Sequence, residues 1–285
     1  MDGIILIDKD KDWTSQDVCS KVKHILNTRK VGHTGTLDPF ATGLLILTVG
    51  SATKIGQFIE SLNKSYIASM KLGVKTSTGD LTGEVIENKK VPTLTESVIK
   101  EVLSSLIGAQ EQLPPMTSAI KVNGVPLYKM AHQGLEIARK TRKIEVYEIK
   151  LVSYENDIIT FACDVSKGTY IRTLGETIAE KLGTVGHLLE LRRTKVGRYF
   201  INNATKIDTL NETSIIDINK SLPFMPSYNL NSSEEKIVLN GGKLSLLTKD
   251  KVVAVYGITK KLLAVYQKED DGFYHCLRGI QNEND

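Results

Sequence analysis

The chain has 285 residues, of which 41% are hydrophobic and 25% are charged, and its formal net charge is +4. This length allows one large core or two domains, the composition is that of an ordinary globular protein, and the charge excludes a polycation. Three widely separated cysteines and five histidines without ligand spacing argue against a disulfide framework and a metal site.

The first hundred or so residues predict strands and helices around a glycine-rich loop. Residues 3–7 predict a buried strand, and a helix capped by Thr14 or Ser15 follows it. The loop at 32–43 leads into a second buried strand at 44–49. The next predicted elements are a short helix from Ser51 or Thr53 to Leu62, a strand at 66–74, and a helix through Ile107 with a Thr93–Glu96 capping box and Gly108 at its end.

The remaining elements are short. Asn123-Gly124 predicts a hairpin turn, and residues 129–134 a helical turn. Strands are predicted at 144–152 and 158–165, joined at Asn156-Asp157, and a helix at 173–182 ends at Gly183. A polar connection at 205–235 precedes three strands at 252–256, 262–267 and 273–277, which suggest a small β-barrel. Because these elements do not repeat as strand-helix-strand units, we predict an α+β fold.

The start of the chain does not predict a signal peptide, because the apolar run at 3–7 is too short and lacks a basic leader. No run approaches membrane-spanning length. We therefore expect a cytoplasmic protein in a reducing environment, bound to no membrane.

The most informative segment is the run Gly-His-Thr-Gly-Thr-Leu-Asp-Pro-Phe-Ala-Thr-Gly at 32–43. Glycine lets a ligand approach the backbone closely, and proline fixes the direction of the chain just after Asp38. A single carboxylate displayed in such a loop is a candidate nucleophile or base. The residues alone are equally consistent with a turn in which Asp38 accepts backbone N–H groups.

This run resembles the catalytic loop of the pseudouridine synthases, and more narrowly that of the bacterial transfer-RNA pseudouridine-55 synthases. Further motifs of that family follow in the same order and cover most of residues 1–200. They are Lys64-Ser65-Tyr66, Thr76-Ser77-Thr78-Gly79-Asp80 with Gly83, Pro114-Pro115-Met116-Thr117-Ser118-Ala119-Ile120-Lys121 with Gly124 and Tyr128, Ser166-Lys167-Gly168-Thr169-Tyr170-Ile171-Arg172, and Leu191-Arg192-Arg193.

The resemblance implies the pseudouridine synthase fold, which has a central mixed, mainly antiparallel sheet flanked by helices and loops. The catalytic domain would span residues 1–230, with an RNA-clamping insertion at about 110–142. Residues 235–285 would form a PUA-like β-barrel that binds RNA. The tail assignment rests on strand pattern, and a plain β-appendage is the alternative.

The resemblance also implies a reaction, the conversion of the T-loop uridine of tRNA, at position 55, to pseudouridine. This reaction conserves atoms and needs no redox cofactor, and the chain has neither a Walker lysine motif nor GxGxxG. Asp38 would attack C1′ or help to form a glycal. Arg172 would lower the pKa of Asp38 and orient it by a two-point bond. Tyr66 would stack on the base and accept the C5 proton.

Other residues would bind the RNA, with the T-arm stem-loop as partner. His33 would fill the place of the flipped base, Tyr170 and Leu191 would shape the pocket wall, and Asp80 would contact the substrate or cap its turn. Lys64 and Lys121 are candidates for phosphate contacts. The basic clusters are Lys64, Lys71 and Lys75; Arg139, Lys140, Arg142 and Lys143; and Arg192, Arg193, Lys195 and Arg198. We expect a monomer without an obligate protein partner.

Two motifs depart from the family pattern. Lys9-Asp10-Lys11-Asp12 stands where the family has Lys-Pro-x-Gly, and Ala131-His132-Gln133-Gly134 stands where it has Ala-Arg-x-Gly. Three rival hypotheses are a non-catalytic tRNA-binding or folding chaperone, a hydrolase that uses Asp38 as general base, and a synthase within a guide-RNA particle. The set of Asp38, Tyr66 and Arg172 favours the tRNA-modifying enzyme.

Overall fold

The structure is a computed structural model that describes residues 1–118, 120–122, 124–131 and 133–280. The strands are β1 (Gly3–Lys9), β2 (Val31–His33), β3 (Thr42–Val49), β4 (Lys64–Leu72), β5 (Val74–Thr76), β6 (Val85–Asn88), β7 (Gly108–Gln112), β8 (Lys121–Val122), β9 (Val125–Pro126), β10 (Arg142–Glu155), β11 (Ile158–Val165), β12 (Gly186–Val196), β13 (Tyr199–Phe200), β14 (Ile216–Asp217), β15 (Ser227–Asn229), β16 (Val252–Tyr256), β17 (Leu262–Lys268) and β18 (Tyr274–Gly279). The helices are α1 (Ser15–Ile25), α2 (Gly56–Glu60), α3 (Glu96–Ser104), α4 (Leu127–Ala131), α5 (Ile171–Lys181) and α6 (Ser232–Leu239). Short 3-10 turns occupy Gly50–Lys54, Ile201–Asn203, Ile207–Thr209, Glu212–Ser214 and Ile218–Lys220.

A large sheet runs through the molecule in the order β14-β1-β3-β12-β4-β11-β10-β7, with β2 on β3 and β13 on β12. Its neighbours are antiparallel except β3 and β12, which are parallel and pair Gly43 with Arg193. Gly43 has φ +99, and a Cβ there would lie 2.3 Å from the Arg193 carbonyl oxygen, so only glycine fits this junction. The predicted α+β fold with a mixed, mainly antiparallel sheet is confirmed.

Both faces of β1 and β3 are buried, which explains the continuous apolar runs in their sequences. The face that carries Ile5 and Leu45 contributes to the main core, together with α1, α3 and α5. The opposite face packs against the C-terminal sheet in a second core. That core includes Ile4, Leu6, Leu44, Ile46, Ala254 and Val265.

The helix ends test the predicted caps. Thr14 caps α1 as predicted, because its hydroxyl accepts the Asp17 N–H at 3.0 Å and the Asp17 carboxylate accepts the Thr14 N–H at 3.0 Å. The predicted capping box at Thr93 is wrong: Thr95 is the cap residue and accepts the Val98 N–H at 3.4 Å. The predicted short helix before Leu62 is interrupted, because a 3-10 turn over Gly50–Lys54 precedes α2.

The hairpin predicted near residue 124 is present as β8 and β9, and Gly124 has φ +83. Asn123 of the predicted turn, Ala119 and His132 lie outside the described residues. The predicted helical turn at 129–134 begins earlier, at Leu127.

The C-terminal region differs from its prediction in two ways. The polar connection at 205–235 contains short helical turns but is packed onto the large sheet, since β14 pairs with β1 and Ile207, Leu210, Ile218 and Leu222 are buried. The three predicted tail strands are present, but with β15 they form a sheet in the order β15-β16-β17-β18, and no pairing among the described residues closes it into a barrel. Among the described residues no helix is long and apolar enough to cross a membrane.

Candidate active site

The loop between β2 and β3 is held on both sides of Asp38. The Ser15 hydroxyl accepts the Leu37 N–H at 2.9 Å and lies 3.2 Å from the Leu37 carbonyl oxygen. The Asp38 carbonyl accepts the Ala41 N–H at 3.1 Å, which closes a turn with Pro39 at its second position. Leu37 and Phe40 are buried anchors. The backbone around Asp38 is therefore fixed while its carboxyl group stays accessible.

A second anchor comes from the segment after β1. The Lys9 ammonium donates to the carbonyls of Trp13 at 2.7 Å, Asp10 at 2.9 Å and Pro39 at 3.3 Å. Lys9 is 1% exposed, and burial lowers its pKa to about 8. Asp12 donates its N–H to the Pro39 carbonyl at 2.8 Å and has φ +67, a left-handed conformation that glycine adopts more easily than other residues. Lys9 thus supports the loop from inside the protein and cannot reach RNA.

Arg172 binds Asp38 through two points. Its Nε lies 3.0 Å from Asp38 Oδ2 and its Nη2 lies 3.2 Å from Asp38 Oδ1, as predicted. Nη1 donates to the Thr78 carbonyl at 2.9 Å and to the Thr117 hydroxyl, and Nη2 donates to the Thr117 carbonyl at 2.9 Å. The Arg172 side chain is 3% exposed, whereas that of Asp38 is 32% exposed. A substrate can therefore reach the carboxylate but not the guanidinium.

The pKa of Asp38 moves in the opposite direction from the prediction. Burial raises the pKa most strongly, Arg172 lowers it, and the nearby Asp80 raises it, with a net pKa above the ordinary value of a carboxyl group. Sequence reasoning included the arginine but not the burial or the second acidic group. Asp38 is therefore more basic than an exposed aspartate.

Asp80 is the second acidic residue at Arg172, with Oδ2 3.6 Å from Nη1. Its Oδ1 accepts the Thr82 N–H at 2.9 Å and the hydroxyls of Thr78 at 2.8 Å and Thr82 at 2.5 Å. Asp80 is buried. It therefore caps its own turn and brings that turn against Arg172.

Tyr66 lies on β4, on the face that carries the main core. Its cross-strand neighbours are Arg193 on β12 and Cys163 on β11. Burial raises the pKa of the Tyr66 phenol, the Arg193 charge lowers it, and Asp38 is close enough to raise it further. The structure therefore joins Asp38 to Arg172 and places Tyr66 within the range of the Asp38 charge.

Three of the remaining predicted residues have the following places in the fold. Leu191 is buried on β12 in the main core, beside Tyr66 in the sheet. Tyr170 precedes α5, and its backbone N–H and carbonyl pair with the Gln112 amide at 2.8 Å and 3.0 Å. His33 ends β2, its Nδ1 has no hydrogen-bond partner among the described residues, and burial lowers its pKa.

The basic residues divide into buried and exposed sets, which the sequence did not distinguish. Lys64 is 7% exposed and donates to the carbonyls of Glu60 at 2.5 Å and Leu62 at 2.6 Å, so it caps α2 and is not an exposed phosphate contact. Arg192 donates through Nη1 and Nη2 to the two carboxylate oxygens of Asp8, each at 3.0 Å. Arg193 is buried, whereas Lys121 is exposed on β8. The third basic cluster is therefore not a single surface patch.

The insertion at 110–142 is joined to the site at its base. Gln112 holds the Tyr170 backbone, and Thr117 accepts hydrogen bonds from Arg172. Its exposed cations include Lys121 and Lys129. Sequence reasoning missed Gln112 and Thr117 as site residues, because an amide and a hydroxyl carry no signal until their partners are known.

The chain is similar to known proteins. A family model described as "TruB family pseudouridylate synthase (N terminal domain)" matches residues 23–171, and one described as "tRNA pseudouridylate synthase B C-terminal domain" matches residues 172–221. Proteins named "tRNA pseudouridine synthase B" are similar to the chain. That of Hydrogenovibrio crunogenus is 41% identical over 86% of this chain and 82% of its own length, and that of Oenococcus oeni is 37% identical over 99% of both.

A solved structure shares the fold. "Crystal structure of the archaeal box H/ACA sRNP Nop10-Cbf5 complex" matches with a TM-score of 0.74 and 22% identity, over 99% of this chain and 87% of that one. At this identity the likeness concerns the fold alone.

Proposed function

We propose that this chain acts on the T-loop uridine of tRNA, at position 55. The chain belongs to the TruB family of pseudouridylate synthases and is an isomerase that converts uridine to pseudouridine in tRNA. The observation that carries the chemistry is the two-point bond between buried Arg172 and the accessible carboxylate of Asp38. This pair presents an oriented nucleophile at the end of a fixed loop.

In the proposed reaction the C1′–N1 bond breaks and its electron pair leaves with the uracil. Asp38 either bonds to C1′ or helps to remove a ribose proton to form a glycal; both routes are consistent with one accessible carboxylate. The uracil anion turns and C5 bonds to C1′. On the first route the Asp38–C1′ bond breaks and its electron pair returns to the carboxylate, and on the second route C2′ regains a proton from Asp38. The proton on C5 then passes to Tyr66, and N1 takes a proton from solvent. Arg172 keeps Asp38 oriented through both half-reactions.

Substrate binding has to expose a base that the T-loop keeps stacked. Flipping it out costs a few kcal/mol, and we propose that His33 fills its place. Tyr170 and Leu191 shape the pocket, while Lys121 and the insertion contact the stem-loop by charge and shape. The C-terminal sheet adds a PUA-like RNA contact. We propose that the protein acts as a monomer in the cytoplasm.

A single-turnover assay tests this function. Unmodified tRNA carrying tritium at C5 of its uridines is mixed with excess wild-type protein, Asp38→Asn, or the exposed control Asp208→Asn, and tRNA binding is measured in parallel. We expect tritium release by wild type and Asp208→Asn but not by Asp38→Asn, with equal binding by all three.

A transcript in which cytidine replaces uridine 55 tests the position. It should bind and release no tritium. Release from that transcript would refute position 55, and binding by wild type without any release would favour the tRNA-folding chaperone.

A further inference from the structure

Arg193 is a buried guanidinium where β3, β12 and β4 meet. It is 3% exposed, its Nε donates to the Leu44 carbonyl at 2.7 Å, and its Nη2 donates to the Gly35 carbonyl at 3.2 Å. The arginine ion pairs in the described part of the chain involve Arg139, Arg172 and Arg192, so no described carboxylate lies within 4.0 Å of Arg193.

A buried cation without an acidic partner is costly. The neighbours of Arg193 increase this cost, because its charge also lowers the pKa values of Lys9, Lys64 and His33. An arrangement of this kind is typical of a functional site. The function of this buried charge is therefore sought among the side chains next to Arg193.

Tyr66 is the cross-strand partner of Arg193 and lies on the same face of the sheet. Side chains in such positions are close neighbours. Cys163, the neighbour of Tyr66 on β11, and the Asp38 charge raise the pKa of the Tyr66 phenol together with burial, whereas the Arg193 charge lowers it. Arg193 is therefore the group that favours negative charge on the Tyr66 oxygen.

We propose that Arg193 is a positioning residue that joins the strand of Tyr66 to the Gly35 end of the catalytic loop and stabilises Tyr66 as a phenolate during proton removal. This inference rests on the proposed function of Tyr66. The phenol first releases its proton to solvent. The phenolate oxygen then takes the proton from C5, and the electron pair of the C5–H bond forms the C5=C6 double bond. The electron pair of the C6=N1 double bond moves to N1, which takes a proton from solvent.

The test compares Arg193→Met, Arg193→Lys and the control Arg29→Gln, which changes an exposed arginine. We expect Arg193→Met to slow tritium release about tenfold or more without loss of tRNA binding, because general-base catalysis contributes about 10²–10⁴-fold. Arg193→Lys should recover part of the rate. Arg29→Gln should release tritium as fast as wild type.

A second readout separates charge from structure and needs no activity. Tyr66 is replaced by 3-fluorotyrosine, and its ionisation is followed by fluorine NMR. The midpoint should move to higher pH in Arg193→Met, or in Arg193→Gln if the methionine variant does not fold, and stay near the wild-type midpoint in Arg193→Lys. An unchanged midpoint in the uncharged variants overturns the proposal, whereas absence of tritium release by wild type would instead overturn the proposed function.

Discussion

Two buried lysines lead to the prediction that stability rises between pH 7 and pH 9. Burial lowers the pKa of Lys9 to about 8 and that of Lys64 to about 8, from 10.5 for an exposed lysine. At a pH between about 8, the pKa of each lysine in the folded protein, and 10.5, its pKa in the unfolded chain, the folded protein holds fewer protons than the unfolded chain. The free energy of unfolding therefore increases with pH in this window.

The size of this increase follows from the pKa of each group in the folded protein and in the unfolded chain. Each lysine contributes about +1.4 kcal/mol from pH 7 to pH 9 by proton linkage. Burial raises the pKa of Cys19 to about 11 and of Cys163 to about 12, from 9.0. These thiols have the opposite sign and contribute about −0.4 kcal/mol each over the same interval. The expected net gain is about 2 kcal/mol.

Urea unfolding at a series of pH values measures this gain, with the free energy extrapolated to zero denaturant. Lys9→Met and Lys64→Met should each remove about 1.4 kcal/mol of the pH-dependent rise, whatever their effect on stability at pH 7. A wild-type curve that is flat or falls from pH 7 to pH 9 would refute the reasoning. A Lys9→Met curve that keeps the full rise would show that Lys9 is not its source.

Three further predictions concern the site and its supports. Arg172→Lys should lower the single-turnover rate at least about 100-fold with unchanged tRNA affinity, because one ammonium cannot bridge Asp38 and Thr117; normal turnover would contradict the two-point bond. Asp12→Val should destabilise the protein by about 1–2 kcal/mol because of its positive φ, whereas Asp12→Gly should not; thermal unfolding compares them. Lys121→Met should reduce the slope of log K for tRNA binding against log salt concentration by about one, which corresponds to one ion released. Lys64→Met should leave that slope unchanged.

Local sequence patterns predicted the catalytic loop and many of the helices and strands correctly. The buried runs of β1 and β3, the cap at Thr14, and the turn at Asn156 and Asp157, both of which have positive φ, are all where the sequence predicts them. These features depend on neighbours within a few residues, so their signals survive in the sequence. The same holds for the Asp38 turn, because proline and two buried flanking side chains determine it locally.

Long-range geometry was not accessible in the same way. Strand β12 was not predicted, although it pairs with both β3 and β4. Without it, Arg192 and Arg193 looked like one basic patch. In a strand successive side chains point to opposite faces, so Arg192 binds Asp8 on one face while Arg193 lies against Tyr66 on the other. Lys64 failed for the same reason, because only the packed structure shows that its ammonium caps α2.

Burial raises the pKa of Asp38 most strongly, and Arg172 offsets only part of this rise because it is shared among several groups. The guanidinium serves Asp38, the Thr78 carbonyl, and Thr117, and it lies near Asp80 as well. It therefore orients Asp38 fully but offsets only part of the cost of its burial. A more basic carboxylate is the stronger nucleophile toward C1′, provided that it is ionised when the base is flipped. The site thus makes the Asp38 carboxylate a better nucleophile and does not give Asp38 the lowest possible pKa. Removing the second acidic group with Asp80→Asn should make Asp38 more acidic, and a slower glycosidic step at unchanged tRNA affinity would be its measurable consequence.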